Sequence, residues 1–141
     1  MEWAALVSWI VTAGGGFVLL ALWLRHGGMQ QREPGRQIRP PLILSHFALA
    51  ATGLVFWIVY VVSDSDALAW IAFAALVAAA VLGWTMFAVW LRRRQARAAT
   101  ASSTPGVPAE QHFPISVVTL HGLLAVTTLV LVFLAAIGIG T

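Results

Sequence analysis

Four long apolar stretches, Trp3–Leu24, Pro41–Val62, Ala67–Leu91 and Pro114–Ile139, alternate with short polar ones, and none holds a charged residue. A helix that crosses a bilayer needs about 20 such residues. Lipid offers no partner for backbone N–H and C=O groups, so a spanning segment closes its own bonds as a helix. The pattern predicts an all-α fold, a four-transmembrane-helix bundle forming one integral membrane domain over residues 1–141. The first stretch reads as a retained helix, because Met1-Glu2-Trp3 has no basic segment and no small-residue cleavage site precedes Arg25.

The breaks between stretches are rich in turn formers. Residues 25–40 contain Gly27, Gly28, Pro34 and Gly35. Residues 63–66 read Ser-Asp-Ser-Asp, a tight acidic turn that can cap the third helix. The Ala/Ser/Thr/Pro stretch from Ala98 to Pro108 predicts a flexible cytoplasmic loop over about 95–112. Pro41 and Pro114 sit at helix starts, where a missing N–H costs nothing.

Composition narrows the class. Of 141 residues, 60% are hydrophobic and 9% charged, whereas a soluble domain carries roughly 25% charged residues. Cysteine is absent, which removes disulfides and thiolate chemistry. The spans hold no carboxylate for ion coupling, and the chain has no phosphate loop, His-Glu-x-x-His or nucleophile elbow. All eight basic residues are arginine, a bias that with the abundant Ala, Val and Gly suggests a GC-rich bacterial genome and hence a bacterial inner (plasma) membrane.

All eight arginines fall in the loops after the first and third spans, while Glu2, Asp64 and Asp66 fall on the other side. The positive-inside rule makes the arginine side cytoplasmic and puts both termini outside. The net charge of +3 does not imply nucleic acid, because the arginines flank apolar spans and do not line a folded face. The partners expected are the lipid bilayer and, since four short helices bury little alone, a membrane protein or a second copy of the chain.

The halves resemble each other. A shift of 67 residues carries Trp3 onto Trp70, Ala5 onto Ala72, Ala13 onto Ala80, Gly16 onto Gly83, Ala21 onto Ala88 and Trp23-Leu24-Arg25 onto Trp90-Leu91-Arg92. A shift of 75 carries His46 onto His121, Leu49 onto Leu124, Ala50 onto Ala125, Thr52 onto Thr127 and Leu54-Val55 onto Leu129-Val130. Each half is a hairpin entering the membrane from the same side. The reading is two parallel repeats, about 3–62 and 67–139, around a pseudo-two-fold axis along the membrane normal.

The repeat places His46 and His121 at matching depth, roughly 8–10 Å below the cytoplasmic helix ends. Ionisable residues within a span are functional candidates by default. Two imidazoles opposed across an axis can supply both axial ligands of a planar metal cofactor. Ala50 and Gly53 lie on the face of His46, and Gly122 and Ala125 lie near His121, so small residues can leave a slot for a ring. Arg25, Arg92 and Arg39 stand at the cytoplasmic edge, where they can pair with carboxylates.

On His46, His121 and these neighbours, the layout resembles the small membrane b-type cytochromes. That resemblance is one of topology. It implies haem b (metal ligands His46 and His121), propionates held by Arg25, Arg92 and Arg39, and electron transfer. Many proteins of that kind hold two haems at two depths; this sequence departs from the pattern, since no histidine lies near the outer side, and one haem is expected.

Other readings stand beside it. The histidines can be hydrogen-bonding glue between helices, worth about 0.6 kcal/mol each, with Ser45, Thr52 and Thr119 as partners, in a non-catalytic accessory, assembly or scaffold subunit. They can also serve a proton relay or contact a quinone. His26 and His112 read as solvated loop residues. A four-histidine cytoplasmic metal site would lack a nearby carboxylate. Gly14-Gly15-Gly16 reads as close helix packing, with a bend or ligand approach as the alternative. Trp3, Trp23, Trp70 and Trp90 read as interfacial belts, and Trp9, Trp57 and Trp84 as deeper packing or lipid contacts, with the lining of a cofactor as the alternative.

Overall fold

One acidic turn joins the second helix to the third, and arginines gather at the opposite end of the bundle. The computed structural model describes residues 1–30, 38–99 and 108–139. Its helices are α1 (Glu2–Arg25), α2 (Pro40–Ser63), α3 (Asp66–Ala99) and α4 (Ile115–Ala136), and the described residues hold no strand. Each is long and apolar enough to span a membrane. The 24 residues of α1 or α2 give about 36 Å, more than the ~30 Å hydrocarbon core.

α3 departs most from expectation. It runs past Leu91 through Arg92–Arg97 to Ala99, because Arg, Gln and Ala are good helix formers and cations suit a helix C-terminus. The stretch predicted as a flexible loop therefore begins as helix. It ends in a 3-10 turn, Ala109–His112, in which Ala109 and Glu110 are fully buried. Residues 100–107 lie outside the described residues, as do Arg32 and Arg36.

The acidic turn is tight because Asp64 takes the left-handed conformation (φ 55°) and its N–H donates to Tyr60 O at 2.8 Å. Asp tolerates this region better than most side chains. Leu68 N–H then donates to Ser65 O at 2.9 Å, opening α3.

α2 packs chiefly on α3, and α1 on α4; contacts of α3 with α4 and of α1 with α2 close the square. α1 and α3 are thus one diagonal, α2 and α4 the other. The main core gathers Ala5, Trp9, Trp57, Tyr60, Ala69, Ala72, Leu76, Val132 and Ala135. It lies toward the acidic end, where Trp57 Nε1 donates to Glu2 O (3.4 Å) and the Tyr60 hydroxyl to Glu2 Oε1 (3.1 Å). Outward faces carry exposed Val7, Ile10, Phe17, Val55, Val81 and Leu123. Such a surface suits lipid and would aggregate in water. The chain has the build of a multi-pass integral membrane protein.

The buried positions follow a register. In α1 they are Ala5, Trp9, Thr12 and Trp23, and 67 residues on stand buried Ala72, Leu76, Ala79 and Trp90. In α2 they are Gly53, Trp57 and Tyr60, and 75 residues on stand buried Thr128, Val132 and Ala135. Trp3 and Trp70 are exposed at the acidic end, as belt residues should be. Trp23 and Trp90 are not belt residues: both are buried, because i+7 spacing returns them to the inward face of Gly16 and Gly83.

Candidate functional site between the diagonal helices

The N-terminal parts of α2 and α4 each direct one histidine into the bundle. The ring centres of His46 and His121 lie 6.3 Å apart, with planes inclined at 71°. His46 Nδ1 sits 2.8 Å from Ala79 O and His121 Nδ1 2.9 Å from Thr12 O. A carbonyl can only accept, so each Nδ1 carries the proton and donates. In the neutral ring this leaves Nε2 as the nitrogen with the free lone pair, and a backbone carbonyl fixes the ring's orientation.

Both anchors obey the same offsets. The acceptors, Thr12 and Ala79, lie 67 residues apart; the donors, His46 and His121, lie 75 apart. Glycine makes the seat in each case. A Cβ on Gly16 would stand 3.1 Å from His121 Cε1, and one on Gly83 3.2 Å from His46 Cε1. Gly15 also lies beside the His121 ring. The glycine run is thus more than a packing seam.

The other small residues divide. The space beside Gly53 is taken by the Trp9 indole and Ala75, each 3.1–3.2 Å from where a Cβ would be, so it offers no slot for a ring. Gly122 faces open space. Ala50 and Ala125 are half-buried.

Arg25, Arg39 and Arg92 are all exposed at the histidine end. Arg25 and Arg92 come nine residues after Gly16 and Gly83. Nine residues turn a helix through about 900°, half a turn beyond two full ones, so both arginines leave from the outward face. Arg39, the N-cap of α2, comes seven residues before His46 and shares its face.

His26 and His112 are exposed, as expected, but they stack on each other with ring centres 3.9 Å apart, and His26 Nδ1 donates to Leu22 O (2.7 Å). They do not join the inner pair: among the described residues no group of three or more His, Cys, Asp or Glu could hold a metal. Glu110, in the same turn as His112, is fully buried, accepting from Ile38 N–H (3.1 Å) with Arg93 at 3.9 Å. Burial pushes its carboxyl above the usual glutamate range, against the opposing pull of backbone N–H groups and Arg93.

The carbonyl acceptors, Gly16 and Gly83 as seats, and the Glu110 tie were not foreseen as parts of the site. The matched Gly16/Gly83 pair was the signal that could have found the seats. Comparison with protein-family models, with curated proteins and with solved structures gave no match to this chain.

Proposed function

We propose that this chain holds one haem b between His46 and His121 and moves electrons at its arginine-rich side. The observation that carries the reading is the ring separation. A metal–imidazole bond of about 2.0–2.1 Å, plus roughly 1.1–1.2 Å from nitrogen to ring centre, sets two axial rings roughly 6.3 Å apart. The centres here are 6.3 Å apart. Both Nδ1 atoms are engaged by carbonyls, the arrangement that reserves Nε2 for a metal. Gly15, Gly16 and Gly83 let α1 and α3 approach the two imidazoles directly, since a Cβ at 16 or 83 would press on a ring.

When bound, haem supplies a one-electron iron couple; the protein supplies ligation, orientation and a low dielectric. His46 and His121 would be the ligands. Arg39, on the face of His46, and Arg25 and Arg92 at the rim would balance the propionates. By the positive-inside rule this is the cytoplasmic face, with both termini outside, and the arginine-only basic composition suggests a bacterial inner membrane. The shared register of buried positions and of both histidine anchors supports two parallel repeats related by a two-fold along the membrane normal.

A second reading has its own support. Each Nδ1–carbonyl bond ties two helices together without any cofactor, as expected of an accessory or scaffold subunit acting with a membrane partner or a second copy.

A visible spectrum of the detergent-purified protein, expressed with ample haem, separates the two. The haem reading expects a Soret band and sharp α and β bands on dithionite reduction, lost in His46→Ala and in His121→Ala. A colourless protein, or bands that survive both substitutions, would overturn it in favour of the accessory role.

A further inference from the structure

A buried indole N–H without a partner is costly, more so at membrane depth, and asks what it is meant to meet. Trp23 and Trp90 are 0% and 4% exposed, and neither Nε1 has a hydrogen-bond partner. Trp57, by contrast, places its Nε1–H on a carbonyl. The two unpartnered tryptophans obey the 67-residue offset. Trp23 follows Gly16 by seven residues and Trp90 follows Gly83 by seven. Seven residues are about two turns, so each indole stands roughly 10 Å toward the arginine end, on the helix face that seats a histidine.

The surroundings hold both rings in place. Gly28 roofs Trp23 so closely that any side chain at 28 would overlap the indole. The Arg94 guanidinium lies over the Trp90 ring, 5.5 Å from its centre, a contact with the face that leaves the N–H edge unused. The turn Ala109–His112, which contacts α1 and α3, adds a third buried donor without a partner, Gln111 Nε2. Glu110 Oε2 in the same turn is also buried without a partner, but the two indoles at the arginine end are donors only, and they suit a ligand group that accepts and carries negative charge.

We infer that Trp23 and Trp90 are paired donors to the carboxylates of the bound ligand, one indole N–H for each haem propionate. This rests on the haem reading above. The indoles bind from inside the bundle, whereas Arg25 and Arg92 leave from the outward face and supply charge from the rim. Trp23 and Trp90 are binding residues, with no part in electron transfer itself.

The test is a two-by-two titration of the purified apoprotein, followed at the Soret band. Wild type and Trp23→Phe/Trp90→Phe are each loaded with iron protoporphyrin IX or with its dimethyl ester, which keeps the iron and ring but blanks both carboxylates. Wild type should prefer the free acid, and the double variant should lose about tenfold or more of that preference, as expected for charge-assisted hydrogen bonds. An unchanged preference in a folded variant overturns the inference and leaves the haem reading intact. Failure of wild type to bind either porphyrin overturns both. Should the double variant not fold, the hydrogen-bond-sensitive indole bands of wild type decide by ultraviolet resonance Raman: they should shift on loading with the acid and not with the ester. No difference between the two would count against the assignment.

Discussion

The pairs α1·α4 and α2·α3 present the same histidine-to-carbonyl bond but are cemented differently. Beside His121, α1 and α4 are joined through hydroxyls: Ser8 Oγ can donate to Thr128 Oγ1 at 2.8 Å, while Thr12 and Thr128 give their own protons to Ser8 O and Leu124 O and their oxygens lie 3.0 Å apart. Beside His46, the positions at the same offsets are Ala75, Ala79 and Gly53. There α2 and α3 close by shape, with Gly53 against Ala75 and the Trp9 indole. In lipid no hydrophobic drive separates these solutions; small-residue contact and interhelical hydrogen bonds are alternative ways to hold helices together. The imidazole seat is held in common while the cement beneath it differs.

Breaking the close-packed pair should cost most. Gly53→Leu drives a side chain into Trp9 and Ala75 and should destabilise the bundle by about 1–3 kcal/mol, the range for overpacking. Equilibrium unfolding in mixed micelles measures it; a cost within error of zero would mean α2 and α3 are not closed by this contact.

The seats themselves should respond alike. Gly16→Val and Gly83→Val press on His121 and His46 from matching distances. On the proposed haem reading, each should lower haem affinity by a similar factor, on the order of tenfold, if moving an imidazole costs about 1.4 kcal/mol. A large effect at one seat and none at the other would break the equivalence of the halves.

The hydroxyl pair should be gentler. Thr128→Val keeps the shape but removes the acceptor for Ser8, and should cost about 0.6 kcal/mol, at most about 1.7. Ser8→Ala added to it should cost less than the sum of the single changes, since both remove one bond. Full additivity would separate the two hydroxyls.

The smallest effect concerns the Ala109–His112 turn, which contacts α1 and α3. The Glu110 carboxyl lies above its ordinary pKa through burial. The folded state therefore binds its proton more tightly than the unfolded one. Its contribution is fully present below the unfolded value and is lost as pH rises through the folded value. Exchange of the Ile38 amide, which donates to Glu110, should speed up as pH rises through that window beyond the intrinsic rate. Glu110→Gln should abolish the excess.

Several features were legible because lipid imposes them locally. Span number and approximate ends came from unbroken apolar runs, and helix was the one structure open to them. The end of α3 was misjudged because Arg92–Arg97 ended the apolar run without ending the helix. The histidine pair was legible from rarity and from the 75-residue offset. The failure to anticipate the burial of Trp23 and Trp90 has a physical cause: position along a span tells depth, and only the rotation of the helix against its neighbours tells inside from outside.

The amino-acid order alone determined what each segment must do to survive in a bilayer: four helices, an acidic turn at one end, arginines at the other, and a histidine near the arginine end of each of the second and fourth spans. These follow from solvation and repeat spacing, which need no knowledge of neighbours. Only the tertiary structure decided that α2 and α4 oppose each other across a diagonal, that the imidazoles meet at 6.3 Å, and that carbonyls of α1 and α3 aim them. The outward faces are as apolar as the inward ones, so no polar stripe in the sequence marks the inner side. Packing of glycines, indoles and hydroxyls had to choose it.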